Sequence, residues 1–180
     1  MKRGFKFFLP ALAAICMSVS CSRHCDESVT YMIRPREIFP SELGAEDGFT
    51  RIFLAGTIDM GKSLDWQIWT KEWFSGKEGR YLLYNPRRES WNGGAGGEME
   101  YQVSWELEHL EKADYIIMNI LGTSKSPITL LEMGLHARSG KLYVACEQDF
   151  YRYDNVRITC SYYGIPLYNS LEELLEALPF

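Results

Sequence analysis

The sequence is short of positive charge: 19 lysines and arginines stand against 24 aspartates and glutamates, for a net charge of −5. Without a basic field there is little to grip a phosphate backbone, so a nucleic acid polymer is not expected as a partner and a small ligand fits better. Long apolar runs are missing too. The run from Phe7 to Val19 is broken by Pro10 and falls short of the roughly 20 residues that a membrane-spanning helix needs. The five cysteines make no disulfide scaffold: Cys16 lies inside that run, Cys146 closes another where a buried thiol is the expectation, and Cys160 reads as structural as well. Cys21 and Cys25 flank His24, but no second ligand cluster follows at zinc-like spacing, so no metal site is expected. His109 and His136 lack triad partners and read as surface or packing residues. Asn92-Gly-Gly-Ala-Gly-Gly97 lacks the Gly-Lys-Ser/Thr ending of a phosphate-binding loop, and its glycines suggest a mobile flap. No cofactor is implied.

What is present begins with an export signature. Lys2, Arg3 and Lys6 precede the Phe7–Val19 run, which ends at Ser18-Val-Ser-Cys21. Residues 1–25 are therefore expected to be a signal peptide, possibly of the lipoprotein type with a lipid anchor at Cys21, although Ser18 stands where such sites usually carry Leu. That reading places the protein in the bacterial cell envelope, exported or lipid-anchored. The alternative is a cytoplasmic protein whose translation starts at Met32. Residues 26–50, with Pro35, Pro40 and scattered charge, show no period and read as a linker.

From residue 51 to 180 the pattern is that of one α/β domain. Arg51–Gly56, Tyr81–Pro86, Tyr115–Ile120 and Lys141–Cys146 are short, nearly continuous apolar runs, as expected of strands covered on both faces. Helical segments are expected over 64–75, 98–113 and 127–139. A fifth strand at Ile165–Tyr168 precedes Ser170-Leu-Glu-Glu173, a capping box opening a last helix. Alternating strands and helices imply right-handed crossovers and a flavodoxin-like three-layer sandwich with a five-stranded parallel sheet. Ligands of such sheets lie beyond the carboxyl ends of the strands, where Gly56, Thr57, Ile58, Asn85 and residues 121–126 should converge.

Two acids interrupt expected inward stripes. In the helix opened by the Ser126 cap and Pro127, Ile128, Leu131 and Leu135 mark the stripe, and Glu132 takes its i+4 place. In the preceding helix Glu106 sits between Val103, Leu107 and Leu110. An unpartnered buried carboxylate costs several kcal/mol, so such acids persist through pairing or through function. Arg87, Arg88 or Arg138 are the candidates for a structural ion pair. The functional reading is glycosidic chemistry: one carboxylate attacks the anomeric carbon while the other handles the leaving group's proton. Trp66, Trp69 and Trp73 share a spacing more typical of a core face, though Trp66 follows Asp65 near the first loop, where an aromatic ring could cover a base.

Phe53-Leu-Ala-Gly-Thr-Ile58, Asp65-Trp66, Asn85-Pro-Arg-Arg88, Trp105-Glu106, Ala113-Asp114 and Ser126-Pro-Ile-Thr-Leu-Leu-Glu-Met-Gly134 together resemble the nucleoside 2-deoxyribosyltransferase-like family over roughly residues 51–178. The resemblance implies that Glu132 is the nucleophile of a covalent deoxyribosyl intermediate. It also implies that Glu106 binds and protonates the leaving base, as a departure from the family's aspartate. Ser126 would contact sugar or phosphate, and Gly56, Thr57 and Ile58 would form the first loop of the site. Relatives complete each site from a neighbouring subunit, often with an asparagine, so the resemblance implies a homo-oligomer in which Asn155 acts in trans; otherwise Asn155 is a plain turn residue. The implied activity is cleavage of the N-glycosidic bond of a 2′-deoxynucleoside or its 5′-monophosphate, with transfer of the sugar to another base or to water. A non-catalytic nucleotide-binding or sensing module and an NAD-cleaving glycosidase are the alternatives.

Overall fold

The computed structural model describes residues 28–180. The all-apolar runs form strands buried on both faces. In β2 (Thr50–Gly56) Ile52, Phe53 and Leu54 have no exposed surface, and in β4 (Tyr115–Ile120) neither do Ile116, Ile117 and Met118. They pair in parallel with β3 (Arg80–Tyr84) and β5 (Leu142–Cys146), and β5 pairs with the two-residue β6 (Leu167–Tyr168). A further strand, β1 (Val29–Ile33), pairs residue for residue with Arg80–Tyr84. The order across the sheet is β1-β3-β2-β4-β5-β6. Strands β2 to β6 alone thus follow the expected flavodoxin-like order, and the sheet has six strands rather than five.

The sixth strand corrects the linker reading of residues 26–50. Val29, Thr30, Tyr31 and Ile33 are β-branched or aromatic and favour a pleated edge; Pro35 follows directly and ends the pairing. Beyond it the chain folds back through two short 3-10 turns, Ser41–Leu43 and Glu46–Gly48. Phe39 closes this segment onto the domain, packing edge-on to Tyr31 and to Phe49 at centroid distances of 5.7 and 5.4 Å.

Helices cover both faces. α1 (Trp66–Ser75) and α5 (Leu171–Glu176) pack through Trp66, Phe74, Leu171, Leu174 and Leu175 onto one. α2 (Glu98–Lys112), α3 (Pro127–His136) and α4 (Tyr153–Tyr163) pack through Trp105, Leu110, Met133, Val156 and Cys160 onto the other. α4 has no counterpart in the sequence reading; only Val156 and Cys160 anchor it, four residues apart, which is too sparse a stripe to announce a helix. It also places Asn155 in a helix, not a turn. Cys146 and Cys160 are buried free thiols.

The chain steps outward from β2 to β3 on one side and returns to β4 on the other, so the switch point lies between β2 and β4. Two contacts hold those strands close. At the amino edge Arg51 pairs with Asp114 at 2.7 Å, which keeps the Asp114 carboxyl below its usual range. At the carboxyl edge Gly56 (φ +142°) lies so close to Asn119 that any Cβ would overlap its backbone. The expected export signal, the expected anchor at Cys21 and the Cys21, His24 and Cys25 group fall on residues 1–27, outside the described ones.

Candidate active site

Beyond Gly56 and Ile120 the two loops of the switch point are joined by hydroxyls. Thr57 Oγ1 lies 2.7 Å from Ser126 Oγ and accepts from the Leu121 amide at 3.1 Å. Ser126 Oγ donates to Ser124 Oγ at 2.9 Å, and Ser124 Oγ to Asp59 Oδ1 at 2.6 Å. Thr57, Ser124 and Ser126 are all buried. Asp59, Met60 and Ser126 are non-glycine residues at φ of +48°, +53° and +41°, a strained conformation that clusters at functional sites. Ser126 stands at the N-cap position of α3 but makes no side-chain cap bond, because its hydroxyl is used in this chain. Ile58, half-buried, continues the first loop.

The arginines brace these loops. Arg87 donates to the carbonyls of Gly61, Ser63 and Leu64 at 2.8–3.1 Å, with Asp65 Oδ2 at 3.6 Å from its Nε. Arg88 pairs with Glu98 at 2.7 Å, and Arg138 reaches only Tyr163 Oη. No Arg, Lys or His lies in ion-pair contact with Glu106 or Glu132 among the described residues. Asn85 is fully buried and turns inward: its Oδ1 accepts from the Arg87 amide at 2.9 Å and its Nδ2 faces Met32 Sδ. Trp66, expected to cover a base, is 2 % exposed in the core under α1, its indole N–H donating to Thr57 O at 2.9 Å. The polar atoms of Asn85 and Trp66 are thus taken up within the protein, where they brace the first loop. His109 and His136 are packing residues, His109 stacked on Trp105 at 4.0 Å.

The helices face the sheet differently from the expected stripes. In α3 the buried positions are Thr129, Glu132, Met133 and His136, while Ile128, Leu131 and Leu135 are 57–59 % exposed. In α2 the buried positions are Gln102, Trp105, His109 and Leu110, with Val103 and Leu107 exposed. Both helices thus mix polar side chains with the apolar ones they lay against the sheet, and turn further apolar residues outward. Glu132 is inward, as expected, but for a reason opposite to the one that pointed to it. Glu106 lies half-buried beside the inward face of α2.

Glu132 is 7 % exposed, accepts no hydrogen bond among the described residues, and has its carboxyl pushed up to about 8, first by burial and then by the charge of Glu106. Glu106 is also raised by burial, opposed by a hydrogen bond of 2.8 Å from Gln102 Nε2. With its carboxyl at about 8, Glu132 holds its proton at neutral pH, and the charge of Glu106 adds to what burial does. Such a pair can offer a carboxylate and a carboxylic acid to one substrate.

Asn155 stands apart. It is exposed on α4 and lines a cleft of about 350 Å³ between α3 and α4 with Met133, Gly134 and Tyr151. The sequence reading missed Asp59 and Gln102, and reached Ser124 only as one of residues 121–126. Gln102 was accessible to it, one helical turn before Glu106 on the same face.

No curated protein sequence matches the chain. A family model described as nucleoside 2-deoxyribosyltransferase like matches residues 50–150, from the first residue of β2 to Phe150 beyond β5. The span takes in Thr57, Asn85, Glu106, Ser126 and Glu132 and stops short of Asn155, and it places the chain in the nucleoside 2-deoxyribosyltransferase-like family.

Proposed function

We propose that the protein cleaves the N-glycosidic bond of a 2′-deoxynucleoside or its 5′-monophosphate. The observation that carries this is the buried Glu132 carboxyl, unpaired and electrostatically coupled to Glu106. Glu132 attacks C1′ as the bond from C1′ to the base nitrogen breaks, and the departing base takes a proton from Glu106. The electron-poor C1′ draws the negative charge of the pair onto Glu132 and leaves the shared proton on Glu106. In the second half a free base or water attacks C1′, the glycosyl ester to Glu132 opens, and Glu106 recovers a proton. Transfer and hydrolysis share the first half; which acceptor wins decides between them.

The reading includes a homo-oligomer. Met99, Val103 and Leu107 of α2 and Ile128, Leu131 and Leu135 of α3 are each 43–59 % exposed on neighbouring helices of one face. Such exposed apolar side chains are what a protein interface covers, and a second copy related by a two-fold axis would cover them. Asn155, on the same face, would serve the partner's site. The envelope location is proposed as well, through residues 1–25.

Chromatography of the purified protein incubated with 2′-deoxynucleosides and their monophosphates, with and without a second free base, tests the chemistry. Released base or exchanged nucleoside from the parent, reduced about 1,000-fold or more in Glu132→Ala, is the expected result. Substrate returned intact, with only affinity lost in the variant, would instead identify a binding module.

A further inference from the structure

Glu106 stands on α2 and Glu132 on α3, so the distance between them depends on how the two helices and their loops are tied together. Packing on the sheet sets the helix axes, but hydrogen bonds set where each side chain ends, and misplacing a reacting group by about 1 Å costs roughly 100-fold in rate. The first loop, residues 57–64, runs between the two sides. Toward α3 it is tied twice: Thr57 Oγ1 lies 2.7 Å from Ser126 Oγ, and Asp59 Oδ1 accepts from Ser124 Oγ at 2.6 Å.

Toward α2 the tie is Arg87. Its Nη2 donates to the Gly61 and Ser63 carbonyls at 3.0 and 2.8 Å, and its Nη1 to the Leu64 carbonyl at 3.1 Å. The side chain is 12 % exposed, with Asp65 Oδ2 at 3.6 Å from Nε. A planar fork reaches carbonyls spread over four residues at once, which a compact ammonium does not.

The same turn, residues 85–87, holds the acid. Asn85 is fully buried; its amide donates to Ile33 O at 2.9 Å, and its Oδ1 accepts from the Arg87 amide at 2.9 Å. Between them the Pro86 carbonyl accepts from Gln102 Nε2 at 2.9 Å. A carbonyl only accepts, so the amide nitrogen of Gln102 must face it, and the second hydrogen of that nitrogen goes to Glu106 Oε1 at 2.8 Å. Gln102 is the one side chain hydrogen-bonded to Glu106 among the described residues. The charge that Glu106 faces across the site is Glu132 on α3, and among the described residues no Arg, Lys or His pairs with it.

We infer that Arg87 is a positioning residue: by tying the first loop to the turn at residues 85–87, it sets the placement of Glu106 relative to Glu132. The inference rests on the proposed function for the roles of the two acids.

The test is Arg87→Lys, which keeps the charge, beside Arg87→Met, which removes it. In both, kcat is expected to fall about 100-fold with KM within about 3-fold of the parent. The alkaline limb of the kcat profile should move to higher pH as Gln102 loses its hold on Glu106. Adding Gln102→Leu to Arg87→Lys should cost little more, because the two substitutions break one linkage. Carbon-13 NMR titration of the Glu106 carboxyl, identified by its loss in Glu106→Gln, should show the same upward move with no substrate present. Ser124→Ala releases the same loop at its other end; its kcat should fall about 10-fold with the Glu106 titration unmoved. A Glu106 titration unmoved in Arg87→Lys, full activity in that variant, or losses that simply add with Gln102→Leu would each overturn the inference and leave the glycosidic reading standing. Full kcat in Ser124→Ala would overturn it even if the Arg87 variants failed to fold. A parent that turns over no deoxynucleoside, with the Glu106 titration still moved in Arg87→Lys, would overturn the proposed function while upholding the linkage from Arg87 to Glu106.

Discussion

Gln102 holds Glu106 from one turn back along α2: its Nε2 donates to Glu106 Oε1 at 2.8 Å and to the Pro86 carbonyl at 2.9 Å. With both amide hydrogens used, the side chain is fixed between the β3 loop and the acid, which offsets the extra methylene that Glu106 has over an aspartate. The donated hydrogen bond also opposes the upward pull of burial on the Glu106 carboxyl. Gln102→Leu is therefore expected to move the alkaline limb of the kcat profile, where Glu106 loses its proton, to higher pH and to lower kcat about 10-fold with KM nearly unchanged. Gln102→Asn, too short to reach both partners, should resemble Gln102→Leu. A purely structural role would lower thermal stability without moving the pH profile, so the pH dependence of kcat is the decisive measurement.

The raised carboxyl of Glu132 also makes stability depend on pH. Its folded-state value of about 8 lies above the ordinary 4.5, so the folded protein holds a proton that the unfolded chain has released. For an acid displaced upward, stability is fully present below about pH 4.5 and is lost as pH rises through 8, by up to about 5 kcal/mol at 1.36 kcal/mol per pH unit. Glu132→Gln keeps the shape and cannot ionise. Thermal unfolding should show the variant matching the parent at pH 4.5 and melting well above it at pH 8.5, while its turnover is abolished. His109 and His136 are shifted downward by burial and titrate with the opposite sign in both proteins, so they cancel in the difference. Parallel curves across this range would show that the Glu132 carboxyl is not displaced by folding.

How far the sequence could be read follows from these particulars. β2, β3, β4 and β5 were legible because both of their faces are covered, which leaves an apolar run with no alternation to decode. β1 was not, since a five-residue edge strand with Thr30 and Tyr31 in it looks like any turn-rich approach to a domain. The convergence of Thr57 and Ser126 came from topology alone: a parallel sheet that reverses its winding brings those loops together whatever their residues. Asp59 was hidden because nothing in Gly56-Thr-Ile-Asp-Met-Gly61 announces a left-handed aspartate reaching across to Ser124. The facing of α3 was misread for a physical reason. A helical stripe of Ile128, Leu131 and Leu135 points to the core only if nothing but the core can cover it, and here Thr129, Glu132 and His136 take that side.

β1 bears on where the folded chain begins. A chain starting at Met32 would lack Val29, Thr30 and Tyr31, the first three of the five residues paired with β3. It would also lose the bond from the Val29 amide to Gly79 O and the Tyr31 contact on Phe39. Exposing this edge is expected to cost about 2 kcal/mol or more, which lowers the midpoint of thermal unfolding by roughly 4–8 °C. Side-by-side melting of chains begun at residues 26 and 32 reads this directly. Equal midpoints would show that β1 adds nothing to the domain and would reopen Met32 as a workable start.

The outward apolar faces of α2 and α3 make the last prediction, which separates a shared interface from a shared site. Leu131→Asp places a charge in the middle of the stripe, beside Glu132 in sequence but facing solvent where Glu132 is buried. Sedimentation velocity should show the parent as a dimer or larger and the variant as a monomer that is still folded by circular dichroism; a monomeric parent would end the proposal. Asn155, exposed on α4, is tested by mixing. Asn155→Ala and Glu132→Ala should each be inactive alone. If Asn155 serves the partner's site, subunit exchange between the two proteins restores one intact site per mixed dimer, with Glu132 from one chain and Asn155 from the other, and activity recovers to about a quarter of the parent's, since half the dimers are mixed and each has one working site of two. If Asn155 acts within its own chain, every site in the mixture carries one defect and no activity returns. An Asn155→Ala protein that is fully active by itself would remove Asn155 from the site altogether and leave the interface to be judged on Leu131 alone.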